Sequence, residues 1–342
     1  MESKTTKSLT RDLNAARAAK QDEFYTQLSD IEKELRHYTA QFAGKTVLCN
    51  CDDPRVSNFF RYFSLNFERL QLKKLITTCY KNNDSDLFST HVSERGKYLV
   101  YEGDKDGDRL PGPDETAIRD LQGDGDFRSQ ECVTLLEEAD IVVTNPPFSL
   151  FREYVDQLVD YGKTFLIIGS MNALHYKEIF KLIKEDKLWL GESIHSGDRE
   201  FGVPDHYPLQ AAGYRIDEHG RKYIRVKGVR WFTNMDNPNR HEHLPLYKKY
   251  TAVEYPRYDN FNAIEVTKTS EIPYDYDGLM GVPDAFLDKY NPEQFELVGI
   301  PFGDSGKAIG VTRNYRGRTD VSITKDGVSR CPYSRIIIKR KH

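Results

Sequence analysis

The stretch Ala139-Asp-Ile-Val-Val-Thr-Asn-Pro-Pro-Phe-Ser149 decides how this chain is read. After Ala139 and Asp140, residues 141–144 are all β-branched, the pattern of a buried strand. The strand runs into Asn145-Pro146-Pro147-Phe148, where two prolines fix the backbone and leave the Pro146 carbonyl free. In an open α/β sheet, ligands gather at the carboxyl ends of the strands. There Asn145 offers a side-chain oxygen, Pro146 a carbonyl and Phe148 a flat face. An exocyclic amine can donate to both oxygens while its ring stacks on Phe148, as extruded bases do on aromatic side chains. Such acceptors favour a nitrogen that is gaining positive charge, which is electrostatic catalysis without a strong base. A bare Asn-Pro-Pro would read as a strand-ending turn; the strand before it favours a site.

Working outward, strand and helix patterns alternate. Ser29-Asp-Ile-Glu32 has capping-box spacing, and Ile31, Leu35, Tyr38 and Phe42 follow at helical intervals. Lys45–Cys51 reads as a buried strand closed by Asp52-Asp-Pro54. Phe60, Phe63, Phe67 and Leu70 mark a helix, and Leu75–Cys79 the next strand. Residues 81–117 are polar, with a hairpin expected at Lys97–Glu102. A helix over 149–161 and a strand over Lys163–Gly169 continue the rhythm. Alternation at this spacing predicts an α/β fold with a parallel sheet covered on both faces. From about residue 190 short β-like runs dominate, at Tyr223–Val226, Arg230–Thr233, Ala263–Val266 and Arg335–Ile338. They predict a second, β-rich lobe and not a continuation of the sheet. Trp231 and Phe232 are expected in the core of that lobe.

The 342 residues carry a net charge of −4, which argues against indiscriminate nucleic-acid binding. The distribution is uneven. Residues 1–20 hold five bases against two acids, residues 306–342 ten against two, and residues 102–138 four against twelve. In the last segment Arg313, Arg316 and Arg318 surround Tyr315, a pattern suited to phosphates and base edges. Five cysteines without paired ligand spacing read as reduced thiols. Asp104-Lys-Asp-Gly-Asp108 with Glu115 imitates calcium-loop spacing, but Arg109 replaces the glycine such a loop needs. His241 and His243 read as a polar loop. No run is long enough to cross a bilayer, and the polar, basic opening does not resemble a secretory signal, so a cytoplasmic protein is expected.

The chain resembles the N6-adenine DNA methyltransferases, and within them the EcoRI modification methylase family. The resemblance is carried by Asp22–Gln27, Cys49–Phe60, Gly123–Arg128, Asp140–Ser149, Trp231–Asn234 and Asn291–Leu297. It implies a Rossmann-like sheet binding S-adenosyl-L-methionine, followed by a β-rich target-recognition region. The expected layout is a basic arm over 1–20, a catalytic domain over 21–190 and a recognition region over 191–342. Phe24, Tyr25 and Thr26 match the family's methionine-end segment. Asp52, Asp53 and Pro54 follow the first strand, where the family contacts the cofactor, and Asp126 and Phe127 match the positions holding its adenine. Asn145, Pro146, Pro147 and Phe148 match the catalytic pocket.

The resemblance further implies double-stranded DNA as substrate, a flipped adenine, no metal, and a restriction–modification system or a solitary relative. A cognate nuclease would then share the system without a stable complex, and a short palindrome such as GAATTC would be the site. Two departures stand out: residues 54–58 lack the usual glycines, and no acid follows the second strand to hold ribose hydroxyls, Asp84 being a late candidate. Competing readings are methylation of RNA or protein glutamine, and a non-catalytic DNA-binding protein on a methylase scaffold.

Overall fold

A computed structural model describes residues 24–51, 53–80, 95–108, 110–112, 114–203, 207 and 213–341. The arm over 1–20, Asp52 and Asp84 lie outside the described residues. The chain forms two compact units. One comprises residues up to Ala173 together with Gly191–Met235; the other comprises Leu174–Leu190 and Asp236–His342. The chain crosses between the units at 173/174, 190/191 and 235/236, so a single cut at 190 does not separate them.

The first unit is mixed α/β. Its strands include β1 (Tyr25–Thr26), β2 (Thr46–Cys49), β3 (Lys74–Cys79), β4 (Lys97–Tyr101), β5 (Arg119–Asp120), β6 (Ile141–Thr144) and β7 (Thr164–Ser170). All but β1 lie in the large sheet, in the order β5-β4-β3-β2-β6-β7, followed by Val229–Thr233. β3, β2, β6 and β7 are parallel, whereas β4 and Val229–Thr233 pair antiparallel at either side. All residues of β2 and β6 are buried, as expected for strands covered on both faces. Lys97–Tyr101 is a strand of this sheet, not a hairpin of its own.

The sheet continues where the sequence predicted a separate lobe. Val229–Thr233 is fully buried, and Trp231 pairs with Ile168 across the ladder. Trp231 and Phe232 are core residues of this first unit, against Phe59 and Phe151 respectively. A run this apolar gains most when both its faces are covered.

Among the described residues, four α-helices belong to this unit: α1 (Leu28–Leu35), α2 (Asn58–Leu65), α3 (Gln130–Glu138) and α4 (Phe151–Asp160). α1 begins after Gln27 without a side-chain cap, so the capping box foreseen at Ser29 does not form. Ile31, Leu35, Phe59 and Phe63 join Val47, Leu75, Val143 and Ile168 in one core cluster. On the other face α4 presses Phe151 onto Gly169, where any side chain would sit 2.4 Å from the Phe151 ring.

The second unit holds a small sheet. Ile264–Glu265 runs parallel to Met280–Pro283, which pairs antiparallel with Arg335–Arg340, and that in turn with Phe295–Gly299. Buried Glu265 receives Arg335 Nε at 3.0 Å and the Tyr258 hydroxyl, so the charge is paired inside the core. No helix among the described residues is long and apolar enough to cross a membrane.

Candidate active site

β2 and β6 are neighbours, but the chain leaves β2 toward β3 on one side and returns through β6 on the other. This is a topological switch point, and in open α/β sheets ligands bind outside the strand ends at such a point. Both strands end there. The Thr144 hydroxyl donates to the Asn50 carbonyl, tying the end of β6 to the end of β2. Cys51 turns the chain at once with φ 78°, a left-handed conformation usually left to glycine.

Asn145 is buried. Its Nδ2 donates to the Phe24 carbonyl at 2.6 Å, which fixes the orientation of the amide. The other end of that amide, Oδ1, is buried and accepts no hydrogen bond among the described residues. The Pro147 carbonyl accepts from Leu150 N at 2.9 Å and opens a short helical turn, whereas among the described residues no such backbone bond engages Pro146. Phe148 meets Phe24 edge-on, ring centres 5.7 Å apart. The sequence-predicted quartet is thus assembled, with two oxygens unspent.

Phe24 enters from β1. Thr26 is 1% exposed, and its Oγ1 is also buried without a partner among the described residues. Its carbonyl accepts from Asn58 Nδ2 at 2.8 Å, the first residue of α2. Tyr25 is half-buried, and strand alternation sets it opposite to Thr26. β1 pairs antiparallel with Phe201–Gly202, and Phe24 packs on Phe201 at 5.9 Å and Tyr207 at 6.3 Å. Phe201 and Tyr207 were missed by the sequence reading, which placed them in the recognition region. The period-two run Arg199–Val203 signals a strand, but nothing local names β1 as its partner.

The two described acids of the cofactor set share one local geometry. Asp53 Oδ1 accepts from Arg55 N at 2.9 Å and Arg55 Nε at 3.0 Å. Asp126 Oδ1 accepts from Arg128 N at 2.9 Å and Arg128 Nε at 2.9 Å, while Oδ2 takes Arg128 Nη2 at 2.7 Å. Arg128 also reaches Glu153 of α4 at 2.9 Å, and its bond to Asp126 holds the guanidinium above its ordinary pKa. Each aspartate is clasped by the arginine two residues on, a pairing that Asp-x-Arg spacing permits but the sequence reading did not draw. Pro54 is buried between Asp53 and Arg55.

Gly125 seats the second clasp. Its φ is +81°, and a side chain there would lie 2.2 Å from the Cys79 carbonyl, so the turn rests directly on the end of β3. Phe127 stacks edge-on against Tyr154 at 5.1 Å, and its carbonyl accepts from Gln157 Nε2 at 3.1 Å.

In the second unit, Arg313, Arg316 and Arg318 flank a turn built on buried Asn314. Asn314 Oδ1 accepts from Arg316 N at 2.8 Å and Arg318 N at 3.2 Å, and its Nδ2 donates to the Asp320 carbonyl at 3.0 Å. The three arginines and Tyr315 are exposed, with Arg316 5.1 Å over the Tyr315 ring. No carboxylate pairs with these three among the described residues. His241, by contrast, is bound to Asp236 at 2.7 Å. The carboxylates of Asp104, Asp106 and Asp108 lie within 4.8 Å of one another, and they accept from their own loop's backbone at Gly107, Asp108 and Leu110. All five cysteines are free thiols.

The family model for the adenine-specific methyltransferase EcoRI matches residues 12–341. The chain belongs to that family. The methyltransferase is 49% identical to the type II methyltransferase M.EcoRI of Escherichia coli over 331 residues, covering 96% of each chain. It is 38% identical to M.MpnI of Mycoplasma pneumoniae, covering 96% of this chain and 98% of that one. It is 39% identical to M.MgeORF184P of Mycoplasma genitalium, over 83% and 84% respectively. No solved structure matches it. The enzyme is an adenine-specific DNA methyltransferase of the type II kind, and S-adenosyl-L-methionine is its methyl donor.

Proposed function

We propose that the ends of β2 and β6 are where the adenine amino group is methylated, with Asn145 and Pro146 accepting its two hydrogens. The observation that carries this is Asn145 Oδ1: a buried acceptor oriented by Phe24 and without a donor among the described residues. A buried polar atom without a partner costs on the order of 1–3 kcal/mol, a cost a bound amine would remove. The cofactor is placed at the same strand ends, where Thr26 Oγ1 is a second buried group without a partner among the described residues. Phe24, Tyr25, Thr26, Asp52, Asp53, Pro54, Asp126 and Phe127 are the residues proposed to hold it, in a Rossmann-like arrangement. Bound there, S-adenosyl-L-methionine supplies an electrophilic methyl on a sulfonium sulfur.

Asn145 and Pro146 hold the amine so that its lone pair is directed away from both oxygens, and they stabilise the positive charge that develops on nitrogen. Phe148 offers its face to the base. Adenine inside a duplex cannot reach this depth, so the base leaves the stack. The Arg313, Arg316 and Arg318 turn is proposed to engage double-stranded DNA within a recognition region, and a restriction–modification role, supported by the relatives' type II methyltransferase names, is proposed to be carried out in the cytoplasm.

Expression in a methylation-free host followed by modification-sensitive genome sequencing tests the reading. The parent should place N6-methyladenine in one short context, and Asn145→Ala should leave those adenines bare. Equal marking by both proteins would remove Asn145 from the chemistry.

A further inference from the structure

Asn50 and Tyr154 form a buried hydrogen bond at the end of β2. Tyr154 is fully buried in α4, and burial holds its phenol well above the usual pKa, so the hydroxyl acts as a donor. It donates to Asn50 Oδ1, immediately beyond β2. Cys51 Sγ lies 3.6 Å from the same oxygen. The Asn50 carbonyl is taken by Thr144. Asn50 is itself 7% exposed, and among the described residues no acceptor engages its Nδ2. An amide whose oxygen is pinned from behind cannot flip, so it presents its N–H groups in one direction.

Tyr154 also carries the Phe127 ring on its own. One buried side chain thus braces the Asp126–Phe127 turn and orients Asn50, whose carbonyl is in turn bound to the residue before Asn145.

We propose that Asn50 is a further cofactor-binding residue, donating through Nδ2 to an acceptor oxygen of S-adenosyl-L-methionine, and that Tyr154 is the positioning residue that aims it. This rests on the reading that the cofactor sits at the ends of β2 and β6.

Calorimetric binding of S-adenosylhomocysteine to the full chain tests it without turnover. Asn50→Ala should weaken binding about tenfold, the loss of one buried hydrogen bond. Asn50→Asp keeps an acceptor for Tyr154 but loses the donor, and should weaken binding at least as much with an unchanged melting temperature. Tyr154→Phe keeps the ring against Phe127 and should cost about threefold. The double variant Asn50→Ala, Tyr154→Phe should bind as Asn50→Ala alone, because Tyr154 acts through Asn50.

5′-Methylthioadenosine, which lacks the amino-acid carboxylate, locates the acceptor. An Asn50 effect retained with this probe puts it on the adenosine, and an effect that vanishes puts it on the carboxylate. Asn50→Asp binding like the parent, or fully additive losses in the double variant, would overturn the proposal. A parent that bound no S-adenosylhomocysteine would overturn the cofactor site itself.

Discussion

Two groups of arginines in this chain face opposite fates. Arg55 and Arg128 are each clasped onto an aspartate two residues earlier. Arg313, Arg316 and Arg318 ring a turn held by Asn314, exposed and with no carboxylate partner among the described residues. A clasped guanidinium has already spent its field and its donors locally, whereas an unpaired one keeps both for a partner. Counting arginines, or quoting a net charge of −4, hides this distinction. The first region is preset and leaves a few chosen groups unspent; the second offers charge to something outside itself.

The largest effect should come from the chief unspent group of the preset region. Asn145→Ala should slow single-turnover transfer of labelled methyl to duplex DNA by at least ~10²-fold, with cofactor and DNA affinities nearly unchanged. Asn145→Asp, which keeps an acceptor, should lose less. A parental rate in Asn145→Ala would reduce the segment to a turn.

Next come the offered charges. Neutralising Arg313, Arg316 and Arg318 together should weaken DNA binding and lower the salt slope by about 0.9 for each phosphate no longer neutralised. If one of them reads a base, specificity at that position relaxes by about 1–3 kcal/mol. Arg55→Gln is the control from the clasped pair, and its salt slope should match the parent. An equal fall in slope for Arg55→Gln would break the comparison.

The clasp itself is tested by Asp126→Ala, which should weaken cofactor binding by about 1–3 kcal/mol in calorimetry. Asp104→Ala, in the acidic loop, should leave it unchanged. Parental affinity in Asp126→Ala would mean the aspartate serves Arg128 alone.

The smallest effect concerns Cys51, held left-handed at the end of β2. Cys51→Val should lower stability by about 1–2 kcal/mol in a denaturant titration, since a β-branched residue resists that conformation. Cys51→Gly should be tolerated. Equal stability of the valine variant would show that the bend is not fixed.

The sequence made the central strands and the Asn145–Phe148 site legible because both are local. Buried parallel strands announce themselves as apolar runs, and two prolines after a strand leave few conformations. What stayed hidden was pairing at a distance. Arg230–Thr233 reads as a strand, but its partner β7 lies about sixty residues earlier, and burial on both faces is decided by that partner. The same holds for Phe201 against β1. The Ser29 capping box does not form because the helix begins earlier, at Leu28, after an uncapped Gln27, which puts Ser29 inside its first turn. The clasps of Asp53 and Asp126 were within reach, since both repeat one Asp-x-Arg spacing.

The division of the chain has a practical side for anyone who would transplant specificity between relatives. Because Leu174–Leu190 belongs with Asp236–His342, while Gly191–Met235 belongs with the sheet, the backbone passes from one unit to the other at 173/174, 190/191 and 235/236. A chimera joined at 190 would strip Val229–Thr233 from the large sheet and Phe201 from β1. A chimera joined at 235 would leave Leu174–Leu190 behind with a foreign neighbour. Working hybrids therefore need two inserts exchanged together, one of them seventeen residues long and buried in the middle of the gene.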